Sequence, residues 1–147
     1  MATFTLTSPA FVQGGPIPRR HACDGPNVSP ALAWAGAPAG TVAFALVVDD
    51  PDARGFIHWV VPVIAPEATG LPEGIPAAGP PGQGRNDFGR IGWGGPCPPS
   101  GTHRYVFSLY ALDAAPALPS QATAADLRRA ISGHVLAETR LTGTYRR

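Results

Sequence analysis

Three hydrophobic runs, each bounded by polar or turn-forming residues, organise the chain as a β protein. Residues 42–48 are apolar at all seven positions, which suits a strand covered on both faces better than a helix of that length. Residues 58–64 form a second, β-branched run in which Pro62 indicates an edge strand or a bulge. Residues 104–112 form a third run, which stops at Asp113. We therefore predict a strand in each segment.

The remaining segments predict a mainly β fold with one short helix. Residues 1–8 alternate as in an edge strand, and residues 134–145 are typical of a final strand. Thr123 and Asp126 have the spacing of a capping box, which marks the start of a helix. The positions that follow form one apolar stripe and a terminating glycine: Leu127, Ala130, Ile131 and Gly133. We predict one domain over residues 1–147, an antiparallel β-sandwich of Greek-key type with one or two short helices.

The composition excludes several classes of protein. Charged residues make up 14% of the 147 residues, against about 25% in most soluble domains, so disorder from excess charge is excluded. The 18 glycines and 18 prolines are spread between the hydrophobic runs as turn residues, which argues against a helical bundle. The 11 basic and 10 acidic residues nearly balance, and no basic cluster is present. We therefore expect no nucleic-acid partner and no binding to anionic membranes.

The compartment is predicted from the N-terminus and the cysteines. The N-terminus lacks the basic start and the apolar block of a signal peptide. No apolar run approaches the ~18 residues of a transmembrane helix, so we expect no integral membrane segment and a cytoplasmic location. Cys23 and Cys97 are too few for a disulfide scaffold and are expected to be thiols in a reducing cytoplasm, although the sequence leaves a single bridge between them open.

Polar side chains stand at the ends of the predicted strands. Asp50 ends the apolar face of the first run. By alternation, His58 opens the face that carries Val60, while His103 and Tyr105 share one face of the third run. If these strand ends meet at one rim of the sheet, two imidazoles, a carboxylate and a phenol converge over hydrophobic walls, as in ligand sites generally. A His–Asp pair there can present an oriented N–H to a phosphate oxygen.

Two long motifs in a fixed order carry a resemblance to a known family. They are Asp50-Pro51-Asp52-Ala53 followed by His58-Trp59, and Gly95-Pro96 followed by Gly101-Thr102-His103-Arg104-Tyr105. Shorter matches extend over nearly the whole chain: Cys23-Asp24-Gly25, Gly84-Arg85-Asn86-Asp87-Phe88-Gly89 and Gly143-Thr144-Tyr145. The chain thereby resembles the phosphatidylethanolamine-binding proteins, specifically their short bacterial and archaeal branch, sometimes called Raf-kinase-inhibitor-like. Two such motifs are a far more specific signal than one short pattern.

The resemblance implies a sandwich of a large and a small sheet, with a small cavity for phosphate-like or carboxylate head groups. The matching positions are the expected ligand-binding residues: Asp50, Asp52, His58, Gly95, Pro96, His103 and Tyr105. Arg54 departs from the family, which usually has proline there. Family members are linked to kinase regulation, serine-protease inhibition and lipid binding, and no enzymatic reaction defines them. The resemblance therefore implies a non-enzymatic homodimer without a cofactor, which binds a small anionic ligand or a phosphorylated protein partner.

Other functions are compatible with the same residues. His58, His103 and Asp50 also describe the ligand set of a metal-dependent enzyme, although their spacing is unlike that of common metal motifs. Cys97 with a histidine as base describes a thiol nucleophile, but nothing beside Cys97 predicts a lowered thiol pKa. The rigid stretch 76–84 could inhibit a protease as an exposed loop.

Several of these residues also have a purely structural interpretation. Either histidine could be hydrogen-bonded within the sheet without a ligand. Asp52 could be a turn residue after proline. Arg104 points to the face opposite His103 and is expected to hold a carboxylate such as Asp24 or Asp87.

Overall fold

Two antiparallel sheets and one α-helix make up the fold in this computed structural model, which describes residues 3–147. The small sheet has the order β1–β2–β5, with β1 at Thr5–Thr7, β2 at Leu32–Ala35 and β5 at Gly70–Leu71. The large sheet has the order β4–β3–β6–β7, with β3 at Ala43–Asp50, β4 at Phe56–Ile64, β6 at Thr102–Leu112 and β7 at Val135–Arg146. Helix α1 spans Ala124–Ile131. The expected two-sheet, mainly β fold is confirmed, and β1 is an edge strand; the first two residues of the strand predicted over residues 1–8 lie outside the described ones.

The β3 strand is central because both of its faces are covered. One face, which includes Leu46 and Val48, packs into a core shared with the small sheet. The other face, which includes Ala45 and Val47, packs under α1. Burial on both sides explains why residues 43–48 are apolar without alternation, as the sequence predicted; Val42, just before the strand, is exposed.

Helix α1 begins at the predicted capping box. The Thr123 hydroxyl accepts the Asp126 N–H at 3.2 Å, and the Asp126 carboxylate accepts the Thr123 N–H at 3.0 Å. Leu127 and Ile131 are buried against the outer face of the large sheet, and the chain leaves the helix through Gly133 at φ 83°. None of the helices in residues 3–147 has the length and apolar character needed to cross a membrane.

Two irregularities in the pairing of β3 with β4 shape the edge of the large sheet. The register shifts between the pairs Phe44–Ile64 and Leu46–Val61, and Pro62 lies in that interval on the edge strand, as its missing N–H predicts. A second shift leaves His58 without a partner, because Val48 pairs with Trp59 and Asp49 with Ile57.

The second shift corrects the predicted orientation of His58. Strict alternation placed His58 on the face of Val60, but Val60 packs under α1 whereas His58 lies against Tyr105 on the other face. The extra residue of a bulge breaks the two-residue period, so His58 and Trp59 both lie on the side of the shared core. The bulge is what turns His58 toward Asp50.

Cys23 and Cys97 form a disulfide, and the expectation of two free thiols was wrong. Their Cα atoms lie 5.4 Å apart although the residues are separated by 74 positions. The Cys23 N–H also donates to the Pro96 carbonyl at 3.0 Å, so the two loops are held together by backbone contact beside the bridge. While the bridge is intact, Cys97 has no thiolate to act as a nucleophile.

Candidate functional site

The ends of three strands meet at one rim of the large sheet. Because β3 is antiparallel to both β4 and β6, its last residue lies beside the first residues of its neighbours. A hollow of about 220 Å³ opens there, which we call the histidine hollow. It is lined by Asp50, Ala53, Phe56, His58, Phe88, Cys97, Pro98, Pro99, His103 and Tyr105. The structure therefore brings together four of the seven expected ligand-binding residues: Asp50, His58, His103 and Tyr105.

Asp50 orients His103. The carboxylate is 2% exposed, and its Oδ2 lies 2.6 Å from His103 Nδ1. Its Oδ1 accepts the Asp52 N–H at 2.8 Å and so caps the short 3-10 turn at Pro51–Ala53. Because a carboxylate accepts hydrogen bonds, Nδ1 of His103 carries the proton and Nε2 remains for a ligand.

His58 is held by a backbone carbonyl rather than by a carboxylate, and it presents a hydrogen-bond acceptor to the hollow. Its Nδ1 donates to the Gly94 carbonyl at 2.6 Å, which leaves Nε2 without a partner among residues 3–147. The ring packs edge-on against Phe56, Phe88 and Tyr105, with centroids 5.1–5.4 Å away. Burial lowers the pKa of His58 below its usual value, so the ring is neutral at neutral pH and Nε2 is an acceptor. The two imidazoles are therefore not equivalent.

Tyr105 supplies an unused donor. Its side chain is fully buried, and Oη has no hydrogen-bond partner among the described residues. Burial, together with the charge of Asp50, raises the pKa of Tyr105 well above 10, so the hydroxyl stays protonated. The Cys97 backbone N–H lies close enough to lower this pKa a little, but as a donor it leaves the Tyr105 proton without an acceptor. An unpartnered buried hydroxyl costs about 1–3 kcal/mol of stability.

Asp52 does not line the histidine hollow; it pairs with Arg104. The Asp52 carboxylate accepts the Arg104 backbone N–H at 2.8 Å and its guanidinium at 2.9 and 3.1 Å. This contact lowers the pKa of Asp52 to about 2. The expected partners of Arg104, Asp24 and Asp87, were wrong: Asp24 accepts the hydroxyl of Tyr145, and Asp87 accepts a backbone N–H of β4. The pair holds the turn after β3 against the start of β6.

Gly95 and Pro96 also lie outside the lining of the histidine hollow. Gly95 N–H donates to Asn27 Oδ1 at 2.9 Å, and a Cβ on Gly95 would come within 2.0 Å of the His21 carbonyl oxygen. Only glycine permits this close approach of two backbone segments. Pro96 is buried and its carbonyl accepts the Cys23 N–H. The structure thus gives both residues a packing role in the loop that carries the Gly94 carbonyl to His58.

The comparison with known proteins agrees with this architecture. The sequence pattern of the family described as phosphatidylethanolamine-binding protein matches residues 7–146. The chain therefore belongs to the phosphatidylethanolamine-binding protein (PEBP) family. It is 50% identical to a UPF0098 protein of Methanothermobacter thermautotrophicus, over 97% of this chain and 98% of that one. A Mycobacterium tuberculosis relative whose name includes the words lipoprotein LppC is 45% identical, over 96% of this chain and 71% of its own length.

Solved structures of the PEBP family have the same fold. The PEBP homologue CT736 of Chlamydia trachomatis superimposes with a TM-score of 0.89 at 35% identity, over 100% of this chain and 99% of that one. YbcL of Escherichia coli, described as a member of the mammalian PEBP family, has a TM-score of 0.89 at 36% identity, over 99% of each chain. The family membership inferred from the two motifs is thus confirmed.

One feature of the PEBP site in this chain follows from Arg54. The chain passes through the left-handed region there, with φ 57° at Arg54 and φ 77° at Gly55. A proline ring locks φ near about −65°, so proline cannot adopt this backbone. The turn beside Asp50 as it stands in this chain therefore excludes proline at position 54.

The apolar walls of the histidine hollow were missed by the sequence reasoning. Phe56, Phe88, Pro98 and Pro99 all line it. Phe88 is placed by Asn86, whose Oδ1 accepts the Phe88 N–H at 2.9 Å. The glycine-bounded segment around Phe88 was noted only as part of the resemblance, and an exposed-looking loop residue carries no local sign that it will fold over a strand end.

His58, His103 and Asp50 are the ligand set of the alternative metal-dependent enzyme. In the described part of the chain, no group of three or more His, Cys, Asp or Glu side chains has the geometry to hold a metal ion. Nδ1 of His103 bonds to Asp50, and Nδ1 of His58 bonds to the Gly94 carbonyl.

Proposed function

We propose that the protein is a non-enzymatic binding protein whose histidine hollow holds the head group of a small anion, phosphate-like or carboxylate. The observation that carries the proposal is the Tyr105 hydroxyl, a buried donor that has no acceptor among residues 3–147. It lies in the same hollow as His103, which Asp50 orients through Nδ1. An oxygen atom of an anion satisfies the Tyr105 donor and, when His103 is protonated, the Nε2–H as well.

The size of the hollow supports a small head group. Sites for drug-sized ligands occupy about 300–1,000 Å³, whereas the histidine hollow has about 220 Å³. Its aromatic and proline walls, Phe56, Phe88, Pro98 and Pro99, can cover the apolar atoms that join the head group to the rest of a ligand. The neutral His58 adds an acceptor, which suits an anion that retains one proton, such as a phosphate monoester.

The Asp50 carboxylate also lines the hollow, and because its charge opposes an anion, the proposed ligand needs the Nε2–H of a protonated His103. The Asp50 oxygens accept from His103 and from the Asp52 N–H, so Asp50 contributes to binding by orienting the imidazole.

The test compares two Tyr→Phe variants on the same strand. Tyr105→Phe removes the hydroxyl in the hollow, and Tyr110→Phe removes one at a half-buried position near the cluster under α1. We expect Tyr105→Phe to weaken binding of inorganic phosphate about tenfold in calorimetry, since a hydrogen bond to a charged group contributes about 1.5–3 kcal/mol. Tyr110→Phe should leave the affinity unchanged. Equal affinity of both variants and the unaltered protein would remove the basis of the proposal.

The anion can come from one of two sources, a free small molecule or a protein partner. Free small molecules and phosphorylated side chains of a protein partner offer the same head group, and regulation of a kinase would follow from the second source. Calorimetry with inorganic phosphate, with acetate and with a phosphoserine peptide separates them. A peptide that binds no better than inorganic phosphate argues for the small molecule. Inhibition of a serine protease through the stretch 76–84 is a separate hypothesis, which assays of the protein against a panel of proteases test.

The proposal also includes the oligomeric state of the protein and its location in the cell. We expect a homodimer, and light scattering after size-exclusion chromatography would return the mass of the monomer if that is wrong. A cytoplasmic location stays a prediction, which cell fractionation tests. A disulfide such as Cys23–Cys97 persists in oxidising compartments, and one relative has the word lipoprotein in its name. Detection of the protein outside the cytoplasm would contradict the prediction of a cytoplasmic location.

A further inference from the structure

A second hollow, of about 240 Å³, lies beside the histidine hollow. We call it the Arg90 hollow, and it is lined by Cys23, Asn27, Asn86, Phe88, Arg90, Trp93, Gly94 and Gly95. Phe88 lines both hollows, and the two cysteines of the disulfide line one hollow each. The aromatic ring and the bridge therefore form a partition that the two hollows share, and the 44% exposed Phe88 offers an apolar surface between them.

The Arg90 hollow has unused hydrogen-bond donors and no acidic residue. The Arg90 guanidinium makes no ion pair or side-chain hydrogen bond within residues 3–147. Asn27 accepts the Gly95 N–H through Oδ1, which leaves its amide NH₂ as a free donor. The Asn86 side chain is already engaged, because its NH₂ donates to the Gly92 carbonyl and its oxygen accepts two backbone N–H groups. The side-chain N–H groups of Arg90 and Asn27, both exposed residues, thus have no acceptor among residues 3–147, and together they carry one positive charge.

The acidic residues nearest in the sequence do not compensate that charge. Asp87 accepts the Ile57 N–H at 2.8 Å, and Asp24 accepts the Tyr145 hydroxyl at 2.9 Å. Neither lines the Arg90 hollow. An anion is the ligand that a guanidinium and a carboxamide NH₂ recognise together.

We propose that the Arg90 hollow is a second anion subsite, and that the protein binds small molecules with an acidic group at each end of a short apolar spacer. One acidic group lies in the histidine hollow, the spacer crosses Phe88, and the second acidic group meets Arg90 and Asn27. The inference rests on the proposed function of the histidine hollow. It adds the class of ligand, which the histidine hollow alone does not determine.

The test uses straight-chain alkane bisphosphonates of increasing length, each beside the alkyl monophosphonate with the same number of carbons. Calorimetry compares the unaltered protein with Arg90→Gln and with Arg129→Gln, an exposed arginine on α1. We expect the bisphosphonate of best length to bind about tenfold more tightly than its monophosphonate, since one charge-assisted contact is gained. Arg90→Gln should abolish that difference, and Arg129→Gln should retain it.

Inorganic phosphate separates the two proposals. A single phosphate cannot span both hollows, so its affinity for the histidine hollow should be the same in the unaltered protein and in Arg90→Gln, and any second, weaker phosphate site should be lost in Arg90→Gln. If phosphate and the monophosphonates bind but no bisphosphonate binds more tightly, or if the advantage survives Arg90→Gln, the second subsite is overturned while the histidine hollow stands. If neither phosphate nor any monophosphonate binds, the proposed function fails, and a subsite defined as its extension fails with it.

Discussion

The hydrogen bond between Asp50 and His103 allows a quantitative prediction of how much the site contributes to stability. Asp50 is a buried carboxylate with two partners, the His103 ring at 2.6 Å and the Asp52 N–H at 2.8 Å. His103→Ala removes one partner and leaves the charge in place. We expect the free energy of unfolding to fall by about 3 kcal/mol, at the low end for breaking a buried pair because one hydrogen bond survives. The His103 side chain is only 15% exposed, so screening by water is limited.

A double-mutant cycle isolates this contact. Asp50→Asn removes the charge and keeps an oxygen that can accept the Asp52 N–H. In that background His103→Ala should cost about 1 kcal/mol, which gives a coupling energy near 2 kcal/mol between the two side chains. Urea unfolding followed by the fluorescence of Trp59 and Trp93, both in or against the core, measures all four proteins. Additive effects, with a coupling energy below about 0.5 kcal/mol, would refute the reasoning.

Three further predictions concern the same rim. Tyr105→Phe should stabilise the unliganded protein by about 1 kcal/mol, the low end of the cost of a hydroxyl without a partner among residues 3–147, and a loss of stability in urea unfolding would contradict it. Burial lowers the pKa of His58 from 6.5, so the unfolded chain takes up the proton first. The stability that the neutral ring contributes is therefore present above about pH 6.5 and is lost as the pH falls below it. His58→Phe should reduce the fall of the urea unfolding midpoint with decreasing pH, and an unchanged pH dependence speaks against this reasoning. Gly95→Ala should lower the unfolding free energy by about 2–3 kcal/mol because its Cβ meets the His21 carbonyl, whereas Gly82→Ala, which meets nothing within 4 Å, should not.

The positions of β1, of the four strands of the large sheet and of the helix could be predicted because their signals are local; β2 and β5 were not predicted. The doubly covered β3 is indicated by the apolar residues 43–48, and the start of α1 by Thr123 and Asp126, whose reciprocal hydrogen bonds span three residues. The proline on β4 marked an edge strand because a missing N–H has the same consequence in any sheet. The meeting of Asp50, His58 and His103 followed from strand ends and from the two family motifs together.

The remaining features of the site depend on contacts between distant parts of the chain. His58 faces the hollow because a bulge shifts the register by one residue, and alternation alone predicts the wrong side. Arg104 pairs with Asp52, 52 residues away, and not with the predicted Asp24 or Asp87. Phe88 lies over His58 only because its loop pairs with β4 through Asp87, which bonds to Ile57 from 30 residues away.

By itself, then, the sequence indicated β1 and the four strands of the large sheet, where the helix begins and which polar residues stand at strand ends, since each depends on side chains a few positions apart; β2 and β5 were not predicted. The tertiary structure decided the bridge between Cys23 and Cys97, the opposite roles of the two imidazoles and the second hollow beside Phe88. Each of these is set by which loops approach one another and by the atoms left without a partner when they do. That choice depends on the packing of the whole core, which no short pattern encodes.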